Sequence, residues 1–370
     1  MARRRAHDNR GPGDPPTVES ETLVVSHLFD PGDDGAPYPA TIRVRGRRAG
    51  VSGKPRPSDS FVREESIDSV VPGSGPSSVS TWVHGLTPGE WSVSAELVRP
   101  RADARGRRMV GSARPEVQPL RGATWSWRQW RAMPGPSIAL VKTRWTLVAR
   151  LARIPAVMPG AIPVLVGVGA VIALAVQAVI LGGMGVSAGS ALLATAVAAL
   201  SGLVAAKLWY VRLNPSEPIL STGWAVDGFM VVAPLAAIAA LLALRAPVGH
   251  YLDATMPGLF LVVALGRVGC FLTGCCAGRP TASRWAVWCS DQKIGARRVP
   301  TQLLESATGL VLGLTALGLV TGTNLHGTGF IFGAVLAVYL GVRHFLLRLR
   351  ARPRRYLWLR SGLFSPLSQA

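Results

Sequence analysis

Six long apolar runs in the second half of the chain constrain its fold more than any other feature. They lie at about 157–181, 187–210, 225–245, 253–273, 302–321 and 327–347. A helix rises about 1.5 Å per residue, so each run can cross roughly 30 Å of hydrocarbon. Backbone groups in lipid must be hydrogen-bonded within their own segment, which makes such runs helical. The sequence therefore predicts an all-α polytopic membrane domain of about six transmembrane helices over residues 156–350.

The residues before the first run are polar and predict a separate β domain. Residues 1–20 are basic and then rich in Gly and Pro, which predicts a disordered tail. Between 21 and 100, alternating segments such as ATIRVRG and EWSVSAELV are separated by turn residues, which predicts a small β-sandwich. Within it, GLTPGEWSVSAELV resembles the corner between strands E and F of fibronectin type III domains, with Trp91 in place of the usual tyrosine.

Arginine and tryptophan are interleaved between residues 101 and 155. Indole rings and cationic side chains both favour the head-group depth of a bilayer. This segment is predicted to be a helix lying on the membrane surface, with a solvated linker as the alternative. A basic tail is predicted at 351–370, after the last run.

The chain is strongly basic, with 40 Lys and Arg against 20 Asp and Glu and a formal net charge of +20. In a soluble protein this balance would suggest nucleic acid as a partner. Here the cations flank apolar runs and no nucleic-acid recognition motif accompanies them, so anionic lipid head groups explain the charge better. We therefore expect the membrane, and no nucleic acid, as a partner.

The stretch LGRVGCFLTGCCAG, Leu265–Gly278, places an arginine and three cysteines at the end of the fourth run. A charge at mid-bilayer costs from about 2.5 to more than 10 kcal/mol, so Arg267 is expected to face a protein interior, a water-filled cavity or an anion. A lipid phosphate is the natural anion, because a guanidinium can hold it with two parallel hydrogen bonds. The surrounding glycines would let backbones or a head group approach. The alternative is that Arg267 extends from a helix end to the interface.

Other polar residues fall at the ends of neighbouring runs. Lys207 and Tyr210 end the second run, Asp227 opens the third, Glu305 lies at the start of the fifth and Arg343 is inside the last. If the helices alternate in direction, all these positions lie on one membrane face. A set of unrelated structural charges would have no reason to converge in this way.

These motifs resemble those of the prolipoprotein diacylglyceryl transferases. The segment GRVGCFLTGCCAG matches the frame of the family's GRxGNFxNxExxG signature, and VPTQLLE from Val299 to Glu305 matches its HPSQLYE motif. The segment AAKLWY is similar to a motif near the end of the family's second helix, and Arg343 falls on the arginine of its late helix. With four motifs in the same order, the chain is identified as a member over about residues 157–350.

The resemblance implies transfer of a diacylglyceryl group from phosphatidylglycerol, or another anionic phospholipid, to a cysteine thiol. A lipoprotein precursor peptide is the implied acceptor, the implied location is the bacterial plasma membrane with several crossings, and neither a cofactor nor a metal is expected. The reaction needs cations beside the developing phosphate charge and a group that takes the thiol proton. The implied catalytic residues are Arg267, Asp227, Glu305 and Arg343, and the implied substrate-binding residues are Tyr210, Lys207, Gly266, Gly269, Cys270, Cys275, Gly278 and Gln302.

The sequence also departs from the family pattern. The histidine of the family's HGG motif falls on Asp227, the signature asparagine on Cys270, the signature glutamate on Cys275 and the HPSQLYE histidine on Val299. The resulting GCFxxGCCxG pattern resembles a divergent branch of actinobacterial type. Two alternatives therefore remain: a thiol-dependent membrane enzyme using Cys270, Cys275 and Cys276, or a relative that binds phospholipid or lipoprotein without catalysis. Adjacent cysteines without CxxC spacing disfavour zinc.

Two criteria disagree about which membrane face carries the site. Lys and Arg near the run ends, including the tail from Arg343 to Arg360, concentrate on the face of the predicted site. The positive-inside rule assigns that face to the cytoplasm. The resemblance instead implies that this face carries the family's active site, which faces away from the cytoplasm. The first apolar stretch begins about 150 residues into the chain, so no signal peptide is expected. This and the charge rule favour an inner N-terminus.

Overall fold

The computed structural model describes residues 21–51, 56–99, 116–215 and 224–351, which belong to two compact units. The β unit comprises Met1–Pro159 and Pro280–Val299, and the helical unit comprises Gly160–Arg279 and Pro300–Ala370. The tails predicted at 1–20 and 351–370 lie outside the described residues, apart from Ala351.

The described part of the β unit consists of antiparallel strands, a 3-10 turn at Pro57–Asp59 and one very short α-helix. Its elements are β1 (Glu21–Phe29), β2 (Tyr38–Arg48), β3 (Ser60–Val70), β4 (Ser77–Leu86), β5 (Glu90–Arg99), β6 (Glu116–Ser126), β7 (Arg131–Pro134), β8 (Ala139–Lys142), β9 (Arg144–Trp145), α1 (Thr146–Ala149), β10 (Val287–Ser290) and β11 (Ile294–Arg298). The strands pair in the order β10-β11-β4-β1-β6-β5-β2-β3, with β7 on β6, β8 on β5 and β9 on β1. The sequence predicted strands for residues 21–100, whereas the structure also has strands between Glu116 and Trp145.

The prediction of a surface helix or linker over 101–155 is wrong for most of the described part of that segment. Residues 116–145 form β6 to β9, and only α1 is helical between 116 and 155. In β6, Leu120 and Gly122 are buried while Arg121 is exposed, which is the alternation of a half-buried strand. The abundance of arginine and tryptophan obscured this short period-two pattern.

One hydrophobic core holds the β unit together. It combines buried side chains of β1 and β4, such as Leu23 and Val79, with those of β2 and β5, such as Ile42 and Trp91. The β10–β11 hairpin joins this sheet through pairing of Ile294 and Gly295 with Val79 and Ser78 at the start of β4. A segment that follows the fourth apolar run in sequence therefore completes the β unit.

The helical unit contains α2 (Ala161–Gly183), α3 (Ala188–Leu213), α4 (Val226–Ala243), α5 (Val248–Thr273), α6 (Thr301–Gly322) and α7 (Phe330–Leu347). Within the described residues, five of these are long and apolar enough to cross a membrane, and α4 is a shorter apolar helix. The third predicted span is shorter than expected because α4 ends at Ala243 and Arg245 then adopts a φ of +51°. These elements fit a polytopic membrane protein that carries a β domain.

Helix α5 packs closely against α2 and α6. A Cβ atom at Gly269 would lie 2.9 Å from the Cα atom of Ile162 on α2, and one at Gly309 on α6 would lie 3.1 Å from the Phe260 carbonyl oxygen on α5. Small residues allow such close approach where lipid supplies no hydrophobic driving force between helices. This packing fixes the end of α5 beside the start of α6.

A buried carboxylate secures the opposite end of α5. Asp253 is fully buried and accepts hydrogen bonds from the backbone amides of Gly327, Gly329 and Phe332 at 3.0, 2.9 and 2.9 Å. These bonds cap the first turn of α7 and offset the cost of burying the charge. Asp253 precedes Arg267 by 14 residues, which places the two side chains about 21 Å apart along the helix.

Candidate active site

The candidate site begins where α5 stops. Gly274 caps the helix with a φ of +74°, a conformation that suits glycine, and its amide bonds to the carbonyls of Cys270 and Phe271. The chain then folds back, with Cys276 at a φ of +56°. Residues 274–278 are called the cysteine loop below.

The cysteine loop is held from two sides. Gln302 Nε2 donates to the Cys275 carbonyl at 2.9 Å, and Thr301 Oγ1 donates to the Cys276 carbonyl at 3.3 Å. On the other side, Gly278 forms an antiparallel bridge with Arg350, just after α7. Gln302 and Gly278, which the sequence predicted as substrate-binding residues, therefore position the loop backbone.

Three buried side chains form a charge cluster beside this loop. Arg267 Nε lies 2.6 Å from Glu305 Oε2, and Arg350 Nη2 contacts Glu305 Oε1. The side chains are 9%, 5% and 1% exposed for Arg267, Arg350 and Glu305. Such burial is tolerated only because each charge has an opposite neighbour. The structure thus brings together the predicted pair Arg267 and Glu305 and adds a second arginine.

A second ion pair joins the ends of α7 and α4. Arg343 Nη1 donates to the Tyr339 hydroxyl at 3.2 Å, and Arg343 Nη2 lies 3.6 Å from Asp227 Oδ1. Arg343 is buried, whereas Asp227 is 33% exposed. Tyr339 also packs against Phe260 on α5, with the ring centroids 5.1 Å apart. The two arginines therefore lie on helices that contact each other, α5 and α7.

The site carries an excess of positive charge. Among the described residues, three ion pairs join three guanidinium groups to two carboxylates, because Glu305 pairs with two arginines, and this leaves one net positive charge. An uncompensated cation in a low-dielectric environment is costly unless an anion joins it. The cluster is therefore suited to hold one further negative group.

Lys207 and Tyr210 occupy the end of α3. Lys207 Nζ lies 5.7 Å from the Tyr210 ring centroid and 5.4 Å from that of Trp224, which is consistent with cation–π contacts. The Ala225 amide donates to the Ala206 carbonyl at 3.1 Å, so the end of α3 adjoins the start of α4, where Asp227 lies. The two predicted residues thus lie at the same end of the helical unit as the charge cluster.

Gly266 and Gly269 face α2. A Cβ atom at Gly266 would lie 3.3 Å from Val166 Cγ2, and Gly269 approaches the backbone of Ile162 even more closely. The sequence left open whether these glycines admit a neighbouring backbone or a lipid head group. Their described contacts are with the neighbouring helix.

Three cysteine side chains meet beside the arginines. The thiols of Cys270, Cys275 and Cys276 hydrogen-bond to one another, and Cys276 interacts electrostatically with Arg350 and Arg267. All three are partly buried. In the part of the chain that the structure describes, no cluster of His, Cys, Asp and Glu is arranged to hold a metal ion.

Sequence reasoning missed two residues of the site. Tyr339 precedes Arg343 by one helical turn, and this spacing could have identified it as a neighbour on the same face. Arg350 follows the last apolar run among other arginines, where it resembled an interfacial charge, yet it is 4% exposed and paired with Glu305. No pattern in the sequence distinguishes it from its neighbours.

Together these features define a membrane protein with a buried, cation-rich site at one end of its helices. The family model for prolipoprotein diacylglyceryl transferase matches residues 161–365, more than half of the 370-residue chain, so the chain belongs to this family.

The chain is also similar to named members of this family. It is 30% identical over 172 residues to a phosphatidylglycerol–prolipoprotein diacylglyceryl transferase of Dehalococcoides mccartyi, a match that covers 44% of this chain and 65% of that protein. It is 27% identical over 173 residues to phosphatidylglycerol–prolipoprotein diacylglyceryl transferase 2 of Clostridium perfringens, covering 44% and 67%. The chain thus spans about two thirds of the length of these relatives.

Proposed function

We propose that this protein transfers the diacylglyceryl group of phosphatidylglycerol to a cysteine thiol of a lipoprotein precursor. Family membership and the names of the relatives support this activity. The observation that carries the proposal is the excess of buried guanidinium groups where the helix ends meet. Phosphatidylglycerol brings one negative phosphate, which matches the single positive charge in excess.

Arg343 is the arginine best placed to bind the lipid phosphate. Arg267 and Arg350 share Glu305, whereas the nearest carboxylate oxygen to Arg343 Nη2 is 3.6 Å away. This nitrogen is buried and has no well-aligned hydrogen-bond acceptor among the described residues. A phosphate oxygen would supply the acceptor and would hold the head group against Tyr339 and Asp227.

The cations then act on the bond that breaks. The acceptor thiol gives its proton to solvent, its thiolate sulfur attacks the glycerol carbon, the bond between that carbon and the phosphate oxygen breaks, and glycerol phosphate leaves with the electron pair. Negative charge grows on the phosphate during this step, and Arg343 stabilises it, with Arg267 close by. Asp227 positions Arg343 through their ion pair, and Lys207 with Tyr210 contacts head groups at the same helix ends.

The remaining parts of the chain fit a bacterial plasma-membrane protein with several crossings. Exposed apolar side chains such as Val164, Val171 and Val179 on α2 would face lipid.

For the β unit we propose a fibronectin type III-like fold. In support, the buried Trp91 donates its indole N–H to the Thr87 carbonyl at 3.2 Å, as the tyrosine of that family's corner would with its hydroxyl. Such a domain would contact a partner or anchor the chain over the membrane.

A second candidate function is binding of phospholipid or lipoprotein without transfer. It is favoured by the replacement of three polar residues of the family motifs by Asp227, Cys270 and Cys275. The two candidates differ in the fate of the lipid, because a transferase forms a covalent product and a binding protein only retains it.

The test is incorporation of labelled phosphatidylglycerol into a peptide bearing a lipobox cysteine. Arg343→Ala should lower incorporation by about 100-fold or more, the usual scale for removing one transition-state donor. Arg245→Gln is the matched control, because this exposed arginine follows α4 at the other end of that helix from Asp227. Lipid that stays bound to the wild-type protein without entering the peptide would favour the second candidate.

A further inference from the structure

A cavity in the β unit is lined by cationic side chains that the proposed function does not use. It measures about 270 Å³ and is bordered by β1, β8, β9 and the residues that follow α1. Three of its lining residues are cations, namely Lys142, Arg144 and Arg153, and the others are apolar, with Leu151 among them. Among the described residues, no acidic side chain lines this cavity, which is called the basic pocket below.

The three cations of the basic pocket are exposed and uncompensated. In the part of the chain that the structure describes, none of their side chains forms an ion pair or a hydrogen bond. Two acidic residues occur nearby in the strand pairing, where Glu90 lies opposite Lys142 and Glu21 lies opposite Trp145. Neither carboxylate is within salt-bridge distance of a pocket cation. The pocket thus differs from the candidate active site, where the arginines are buried and each has a carboxylate neighbour.

Apolar side chains beside the basic pocket are exposed as well. Leu147 is 71% exposed and Leu151 is 63% exposed, and Leu140 and Trp145 are also exposed. Such side chains interleaved with Lys and Arg suit the interface of a bilayer, where leucine and indole groups enter the acyl boundary and cations contact phosphates. A contiguous apolar surface of this kind is unfavourable in water. The surface around the pocket therefore favours a lipid over a soluble anion.

The chain itself keeps the basic pocket near a membrane surface. Seven residues separate Arg153 from Ala161, the first residue of α2. Even when fully extended, this connection spans at most about 29 Å. Because α2 is long and apolar enough to cross a bilayer, its first residue lies near the edge of the hydrocarbon. Lipid head groups beside the start of α2 are therefore within reach of the pocket.

We propose that the basic pocket binds the head group of one anionic phospholipid, separate from the lipid that enters the candidate active site. Arg144 and Arg153 donate hydrogen bonds to the phosphate oxygens, and Lys142 adds a third positive charge. Leu151 lies against the glycerol and the upper acyl chain of the same lipid. The bound lipid holds the β unit on the membrane surface. The inference does not depend on the proposed function, because it uses none of the residues of the charge cluster.

The test uses the full chain in nanodiscs that contain equal amounts of phosphatidylglycerol and phosphatidylcholine with the same acyl chains. Leu151 is replaced by the photo-reactive residue p-benzoylphenylalanine, and mass spectrometry measures the adducts of each lipid on the peptide that carries it. Each Lys or Arg near an anionic surface contributes roughly fivefold to binding. Salt and the two nearby carboxylates screen part of this attraction. Three cations should therefore enrich phosphatidylglycerol adducts over phosphatidylcholine adducts by at least about tenfold.

Variants of the pocket separate the effect of charge from an effect on folding. Combining Lys142→Gln, Arg144→Gln and Arg153→Gln should bring the ratio of the two adducts close to one. Combining Arg144→Lys with Arg153→Lys keeps the charge and should retain most of the enrichment. The matched control removes three exposed arginines of β2 and β3 and should leave the ratio unchanged: Arg45→Gln, Arg47→Gln and Arg63→Gln.

The outcomes decide between this lipid site and its alternatives. Equal adducts of the two lipids on the wild-type protein, or enrichment that survives the triple glutamine variant, would overturn the inference. Absence of lipid adducts at position 151 would show that the pocket faces water and a soluble partner, and would overturn it too. The enrichment should persist in Arg343→Ala; its loss there would mean that the pocket lipid is the substrate lipid, against the proposal. Absence of lipid transfer would overturn the proposed function and leave the adduct ratio unchanged.

Discussion

Removing the charge of Glu305 should destabilise the helical unit by about 3–5 kcal/mol. Glu305 is 1% exposed and contacts both Arg267, at 2.6 Å, and Arg350. Glu305→Gln keeps the shape of the side chain but leaves two buried cations without their shared anion. Breaking a buried ion pair by removing one partner typically costs about 3–5 kcal/mol. A Coulomb estimate for charges about 4 Å apart at an effective dielectric constant of about 20 gives about 4 kcal/mol, which agrees.

The free energy of unfolding can be measured in mixed micelles by denaturant titration, with the fluorescence of the intact chain as the signal. A double-mutant cycle isolates the pair: Glu305→Gln combined with Arg267→Gln should cost clearly less than the sum of the two single variants. Glu90→Gln is the control, since it removes the charge of an exposed carboxylate at the start of β5 and should cost little stability. A loss below about 1 kcal/mol for Glu305→Gln, or strictly additive costs in the cycle, would refute the role assigned to this ion pair.

Three further predictions concern separate parts of the chain. Tyr339→Phe removes the hydroxyl that accepts from the buried Arg343 at 3.2 Å, so the free energy of unfolding should fall by about 1–3 kcal/mol; an unchanged value would contradict the contact. Gly269→Ala should cost about 1–3 kcal/mol of stability by overpacking, whereas Gly333→Ala, with open space at its Cβ position, should cost little; equal effects would argue against the close α2–α5 approach. His27 is buried in β1 and burial lowers its pKa to about 4, so it is neutral in the fold. Its contribution to stability is present above about pH 6.5 and should be lost as the pH falls towards 4, by about 3 kcal/mol in total, and His27→Leu should remove this slope in hydrogen exchange of β1.

The helices were predictable because apolar length is a strong signal, and the deviations have identifiable causes. The fourth run was expected at 253–273, but α5 begins five residues earlier at Val248. His250 and Asp253 interrupt the apolar pattern there, and Asp253 is accommodated only because three amides of a distant loop bind it. Because these amides are more than 70 residues away in sequence, no local sequence pattern predicts the contact.

Site residues could be predicted where charged residues are rare in the sequence, and could not be predicted where charged residues are common. Four charged residues stood out because each interrupts or borders an apolar run, and the structure brings them into two ion pairs, Arg267 with Glu305 and Arg343 with Asp227. Arg350 lies among several arginines, so its burial depends on the folding of the cysteine loop onto the end of α7. That contact is tertiary, and composition does not encode it.

The burial of these arginines also changes the argument about orientation. The positive-inside rule counts charges that remain near the membrane surface, because those charges resist translocation or bind anionic lipid. Arg267, Arg343 and Arg350 are each less than 10% exposed and are paired inside the helical unit, so they belong to the site and not to the surface count. Arg212 at the end of α3 remains exposed and still counts. The charge excess on the face of the predicted site is therefore smaller, by these three arginines, than the sequence suggests.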